Sequence, residues 1–433
     1  MGQVGNKEYG WETAGSEASV YISSRAVMLI LLGSVCRFVP GMEDCGDFLK
    51  GGVGWRTATL ILMEIKMSIR RYWGQFWGLL LALGCCALPA HGWGNRGHEM
   101  VAYLAYVHAS NEVQGRIDQL VALNPCYAEW QAAVAKDAEI TDDIDKRAAL
   151  FMLAVTWPDM IKGKNYDCPH KSAFTATDGG VGRDGKFNTN VPPEDQGVAS
   201  QNLGYDDNRR HQYWHFIDTP FATDGSRTYP AAVPNAVTEL EELSKALKTE
   251  NDARLNSYDL AWIAHLMGDL HQPLHDAELF SKEFPYGDAG GNFEKICPSL
   301  DTCGYENLHS YWDNLPGPNA DLHVVIAQAK ELDAGEKKPT ARTAKFGSLA
   351  KSESRIEFEE WSKQAFAIAK VDAYAAPFNA GSAKVLESAI PAEYSTKAQA
   401  DMRKQIVLAG WRLAEVLETD LKKRPDSCCK MPG

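Results

Sequence analysis

The chain carries two His-x-x-x-Asp pairs, His265 with Asp269 and His309 with Asp313, and further histidines at His98, His215, His271 and His275. Four residues apart on a helix, an imidazole and a carboxylate project from one face. Such a pair can hold a divalent ion, and the second oxygen of Asp269 can bridge to another. His275 follows Pro273, which stops a helix, so it can approach the group from a different direction. One pair alone is more often only a hydrogen-bonded structural contact. Two pairs with the added histidines point to a metal site.

These side chains need rigid elements behind them. The apolar run from Asp259 to Met267 predicts a buried helix over 256–270, ending near Pro273. Apolar spacing predicts further helices over 98–108, 111–123, 144–155, 236–248, 324–332, 352–369 and 397–421. Asp159 follows Trp157-Pro158, so its carboxylate is expected at a turn, where aspartate ordinarily caps. His215 lies among aromatics in Tyr213-Trp-His-Phe-Ile-Asp218 and reads equally as a core histidine. Residues 163–210 are rich in Gly, Asp, Asn and Pro and read as a long surface loop, a lid or rim, without calcium-loop spacing. Gly287-Asp-Ala-Gly-Gly-Asn292 is a turn that permits close backbone approach. No repeat, heptad run or glycine-rich nucleotide loop occurs, and no second domain is evident.

With 433 residues, 45% of them hydrophobic, the chain can bury a substantial core. A net charge of −13 argues against a basic nucleic-acid groove. It leaves phosphate chemistry open, because bound divalent ions supply positive charge locally.

Residues 67–92 have the form of a signal peptide: Met67-Ser-Ile-Arg-Arg71, then the apolar stretch from Phe76 to Gly84, then Ala90-His-Gly92 with small residues at a cleavage site. Arg70-Arg71 is weaker evidence for a twin-arginine signal, and Cys85 for a lipoprotein site. Residues 1–66 are an unexpected extension ahead of such a signal, and translation from Met67 is the preferred reading over an N-terminal anchor. Cleavage after Gly92 gives Trp93 a free amine, with a pKa of about 7.7–8.0. That amine and the Trp93 carbonyl can chelate an ion, and His98 follows five residues on. Cys126, Cys168, Cys297, Cys303, Cys428 and Cys429 remain after cleavage, none with zinc-type C-x-x-C spacing. Export favours disulfides: Cys297 with Cys303 closes a short loop and Cys126 with Cys168 is a second option, while the neighbours Cys428 and Cys429 are not expected to pair.

In this order, Trp93, His98, Trp157-Pro-Asp159, His215-Phe-Ile-Asp218, His265 to His275, Gly290-Gly-Asn292 and His309 to Asp313 resemble the S1/P1 nuclease family. These are zinc-dependent single-strand nucleases and 3′-nucleotidases, related in fold to zinc phospholipase C. The resemblance runs from Trp93 to about Leu421. It implies an all-α, phospholipase C/P1 nuclease-like domain over 93–433 with a trinuclear zinc cleft. By resemblance Asp159, His215, His265 and Asp269 hold one zinc. Trp93, His98 and Asp269 hold a second beside it, and His275, His309 and Asp313 the third. A metal-activated water attacks phosphorus, with Asp159 orienting it, and 5′-phosphate products leave. Phe216 matches the base-stacking aromatic, Asp218 the base-bonding carboxylate and Asn314 a residue lining that pocket. Lys162 stands where the family often has an arginine near phosphate, and lysine lacks its bidentate geometry. Stacking on an unpaired base gives single-strand preference.

The resulting expectation is an exported, periplasmic or secreted hydrolase with signal peptide and disulfide bonds. It acts as a monomer, without a stable protein partner, on single-stranded DNA, RNA and 3′-nucleotides. The alternatives are a zinc phospholipase C, against which Asp313, Phe216 and Asp218 speak, and an exported zinc-binding protein without catalysis.

Overall fold

The computed structural model describes residues 93–162, 204–207, 211–297, 306–335, 354–375, 389–422 and 424–429. The expected extension 1–66, the signal peptide 67–92 and nearly all of the 163–210 loop lie outside them.

Two helices have no solvent face over most of their length, and both carry candidate ligands. Helix α1 (Asn95–His108) is buried continuously from Gly97 to Tyr106. The helix that carries His265 and Asp269 (Ala253–Asp269) is buried at every position from Asn256 onward. A helix buried all round must sit centrally, and the remaining helices enclose these two. They are α2 (Asn111–Val121), α3 (Tyr127–Lys136), α4 (Asp143–Met160), α5 (Ala236–Thr249), the central α6 (Ala253–Asp269), the short α7 (Leu308–Asp313), α8 (Leu322–Gly335), α9 (Ser354–Ile368) and α10 (Ala392–Leu421). The main packings set α10, α4 and α8 against α1, and α5, α4 and α2 against α6. The fold is all-α, as expected; α3 is a helix the apolar spacing did not announce.

Side-chain caps fix where the functional helices begin. Asp252 accepts from Arg254 N and Leu255 N at the start of α6, and Asn307 accepts from Ser310 N at the start of α7. Each cap satisfies N–H groups that the first helical turn leaves without partners. The one correction with bearing on the site concerns Asp159. It does not lie at a turn: α4 continues through Pro158, and Asp159 is in its last turn. Proline removes one N–H donor, but only two helical residues follow it, so little of the ladder is lost.

Among the described residues strands are few and short. β1 (Thr219–Ala222) pairs in parallel with β2 (Ala277–Phe280), Thr219 opposite Ala277. The pairing starts earlier, with Ile217 N donating to His275 O at 2.9 Å and Thr219 N to Asp276 O at 3.1 Å. β3 (Lys295–Ile296) and β4 (Glu306–Asn307) form a small antiparallel pair. Cys428 and Cys429 are buried side by side in the turn after α10, which Asn256 fixes by donating to Cys428 O. Cys297 is buried, while Cys168 and Cys303, and with them both expected pairings, lie outside the described residues.

Candidate metal centre

Six separate segments converge on one buried region. Helix α6 supplies His265 and Asp269, α1 His98 and the last turn of α4 Asp159. The 212–215 turn supplies His215, the turn Pro273–His275 supplies His275, and α7 supplies His309 and Asp313. All eight side chains are buried, His309 being the most accessible at 8%. They fall into three groups whose ligand atoms lie within 4.8 Å of one another: His98, His265 and Asp269; Asp159, His215 and His265; His275, His309 and Asp313.

Asp269 is the hub. One oxygen, Oδ2, is 2.9 Å from His215 Nδ1 and 3.2 Å from His265 Nε2. The other, Oδ1, is 3.3 Å from His98 Nε2 and 3.6 Å from His275 Nδ1. Asp159 Oδ1 completes the neighbouring group at 3.5 Å from His265 Nε2 and 3.7 Å from His215 Nδ1. In the third group, Asp313 Oδ2 is 3.6 Å from His309 Nε2, and Asp313 Oδ1 is 3.9 Å from His275 Nε2. The rings of His98 and His265 stack at 4.0 Å. That contact exists because Gly268 has no side chain: a Cβ there would lie 2.5 Å from His98 Nδ1.

Backbone carbonyls orient three of the imidazoles. Nδ1–H of His265 donates to Val155 O at 2.8 Å, that of His275 to His215 O at 2.6 Å, and that of His309 to Gly290 O at 2.7 Å. Each ring therefore turns Nε2 inward, the arrangement by which second partners aim metal-binding histidines. Gly290 has φ of +60°, a conformation glycine adopts without steric cost.

Burial, and secondarily the Lys162 charge, pushes His215 down to about 3. Burial, then His275, pushes His309 down to about 3. Burial also lowers His98 and His275. These rings are neutral and carry a lone pair. His265 is the exception. Burial opposes its charge, but the Asp269 and Asp159 carboxylates prevail and raise it to about 9. Asp269, also opposed by burial, is held well below the usual carboxylate range by His265 and His275. An imidazolium thus supplies positive charge between the carboxylates where a metal ion would supply it.

A divalent cation fits this donor set. His275 Nε2, Asp269 Oδ1 and Asp313 Oδ2 are buried without a hydrogen-bond partner, and buried polar atoms ordinarily have one. The donors are nitrogen and oxygen only, as at catalytic zinc sites.

Trp93 is fully buried, and the Gly94 N–H donates to Asp313 O at 2.9 Å, which fixes this backbone beside α7. Lys162 pairs with Asp159 at 2.7 Å. Phe216 is half-buried, its ring 5.7 Å from that of Tyr213. Asp218 is buried with φ of +52°; burial, then Asp288, raises its carboxyl well above the usual range. Asn314 is exposed at the end of α7, donating to Ser310 O. His271 faces away from the ligands: its Nδ1 donates to Met267 O and its Nε2 accepts from Arg412 Nη1 at 2.8 Å. The sequence reading overlooked Gln272, a buried amide bonded to Asp313, and Gly268. The signal for the first was a polar side chain inside an apolar motif, directly before a proline.

A family model described as S1/P1 Nuclease matches residues 93–422, and the chain belongs to that family. No curated protein matches it. Membership makes it a nuclease-type hydrolase with nucleic acid as the substrate class, and its histidine–aspartate groups are its candidate metal sites.

Proposed function

We propose that this S1/P1 nuclease is an exported, zinc-dependent phosphodiesterase. It hydrolyses single-stranded DNA and RNA to 5′-nucleotides and removes the 3′-phosphate from nucleotides. The observation that carries the reading is Asp269, whose two oxygens face two different pairs of histidines. A carboxylate so placed joins two ion sites.

Asp159, His215, His265 and Asp269 would hold one zinc, and His98, Asp269 and the Trp93 amine and carbonyl a second. His275, His309 and Asp313 would hold the third. Zinc, when bound, supplies Lewis-acid charge and ionises water near neutral pH. Asp159 accepts from and orients the attacking water. Lys162, 16% exposed beside Asp159, offers its ammonium to a phosphate oxygen. Phe216 stacks on an unpaired base, while Asp218 and Asn314 bond its edge. Processing before Trp93 frees the amine that completes the second site, which ties activity to export into the periplasm or medium. No helix among the described residues is long and apolar enough to cross a membrane.

The test is release of 5′-nucleotides from single-stranded DNA by protein processed to begin at Trp93, compared with hydrolysis of phosphatidylcholine, each with and without a zinc chelator. Chelator-sensitive nucleotide release is expected. Lipid hydrolysis alone would move the same residues to phospholipase chemistry. Zinc binding with neither activity would leave a binding protein.

A further inference from the structure

Gln272 is fully buried, and all four of its hydrogen-bonding groups are used around the metal centre. Its backbone N–H donates to Asp269 O at 2.9 Å, and its carbonyl accepts from His275 N at 2.9 Å. Its side-chain Oε1 accepts from Leu274 N at 2.6 Å, capping the turn that carries His275. Its Nε2 donates to Asp313 Oδ1 at 2.7 Å. The amide orientation is unambiguous, because a backbone N–H can only donate and a carboxylate only accepts.

The consequence falls on Asp313. Engaging Oδ1 fixes the rotation of the carboxylate and leaves Oδ2 directed at His309 Nε2. The same side chain that rotates Asp313 also shapes the turn holding His275, so two of the third group's three ligands are set by one residue. The residue's backbone joins them to Asp269, which belongs to a different group.

We propose that Gln272 is the positioning residue of the His275–His309–Asp313 site, and that its side-chain amide sets the affinity of that site alone. This rests on the reading of the three groups as zinc sites.

The experiment uses the protein processed to begin at Trp93 and carrying Gln272→Glu or Gln272→Leu. Gln272→Glu is near-isosteric and keeps an acceptor for Leu274 N, but replaces the donor with a carboxylate facing Asp313. Zinc per chain is measured by elemental analysis after equilibration with graded chelator, with helical circular dichroism recorded on the same samples. Wild type is expected to hold three equivalents, one per group. In both variants one equivalent is expected to weaken by about 10–100-fold, the usual effect of removing a ligand's outer partner, with the other two and the helical signal unchanged. Variants that hold three equivalents as tightly as wild type overturn the proposal while leaving the functional reading intact. Uniform loss of all zinc from a still-helical variant also overturns it, because the effect would not be confined to one site. A wild-type protein that binds no zinc overturns the functional reading and this proposal with it.

Discussion

Asp269→Asn tests the hub with almost no change of shape. Whichever way the new amide turns, its NH₂ faces one of the two histidine pairs and its oxygen serves only the other. In the metal-free protein the cost can be worked from His265, whose pKa rises from 6.5 to about 9, with Asp269 the first of its two carboxylate partners. A raised folded-state pKa stabilises fully below about pH 6.5, and that stability is lost as pH rises through 9. At pH 7 the folded protein keeps the proton and the unfolded chain mostly does not. At 1.36 kcal/mol per unit this is worth about 2–3 kcal/mol. The lowered pKa of Asp269 is the same interaction seen from its partner and adds nothing further. Chelator-stripped Asp269→Asn should therefore lose about 2 kcal/mol at pH 7, and the deficit should shrink near pH 10. With zinc supplied, the site of Trp93, His98 and Asp269 loses its only carboxylate while the neighbouring site keeps Asp159, so the metal content should fall from three to two. Denaturant unfolding of the stripped proteins at the two pH values, with elemental analysis of the loaded ones, measures both. A deficit equal at pH 7 and pH 10, together with three retained ions, would refute the reasoning.

Gly268→Ala pushes a methyl group into His98; a stability loss of about 1–3 kcal/mol and one missing zinc should appear together in unfolding curves and elemental analysis. Phe216→Ala should raise KM for single-stranded DNA by about 5–150-fold, since stacking contributes about 1–3 kcal/mol per base, with zinc content unchanged. Lys162→Met removes the charge beside Asp159; kcat/KM should fall by about 10–150-fold, the worth of a charged hydrogen bond of about 1.5–3 kcal/mol, again with full zinc.

The helices and the ligand pairs were legible because both depend on local spacing. His265 and Asp269 lie four apart on α6, and an apolar flank marks that helix as buried. Asp159 was misplaced because proline was read as a stop, although it stands so near the end of α4 that it costs the helix little. Helix α3 was overlooked because its buried contacts reduce to Trp130 and Val134, too few for a clear apolar face. What spacing could not supply was how α1 approaches α6: the need for glycine at 268 exists only once His98 stacks on His265. Gln272 escaped for the same reason, since Asp313 is its partner across 41 positions of sequence.

The parallel pairing of β1 with β2 makes one opening unit of two distant segments. His275 Nδ1 is bonded to His215 O, and Ile217 N returns the contact to His275 O. A fluctuation that lifts the backbone at His275 breaks the Ile217 bond, and so releases the chain next to His215 as well. Deuterium exchange at the Ile217 and Thr219 amides then reports on opening of this side of the candidate metal centre. Slow, concerted exchange at both positions means the centre unlocks as a whole rather than one imidazole at a time.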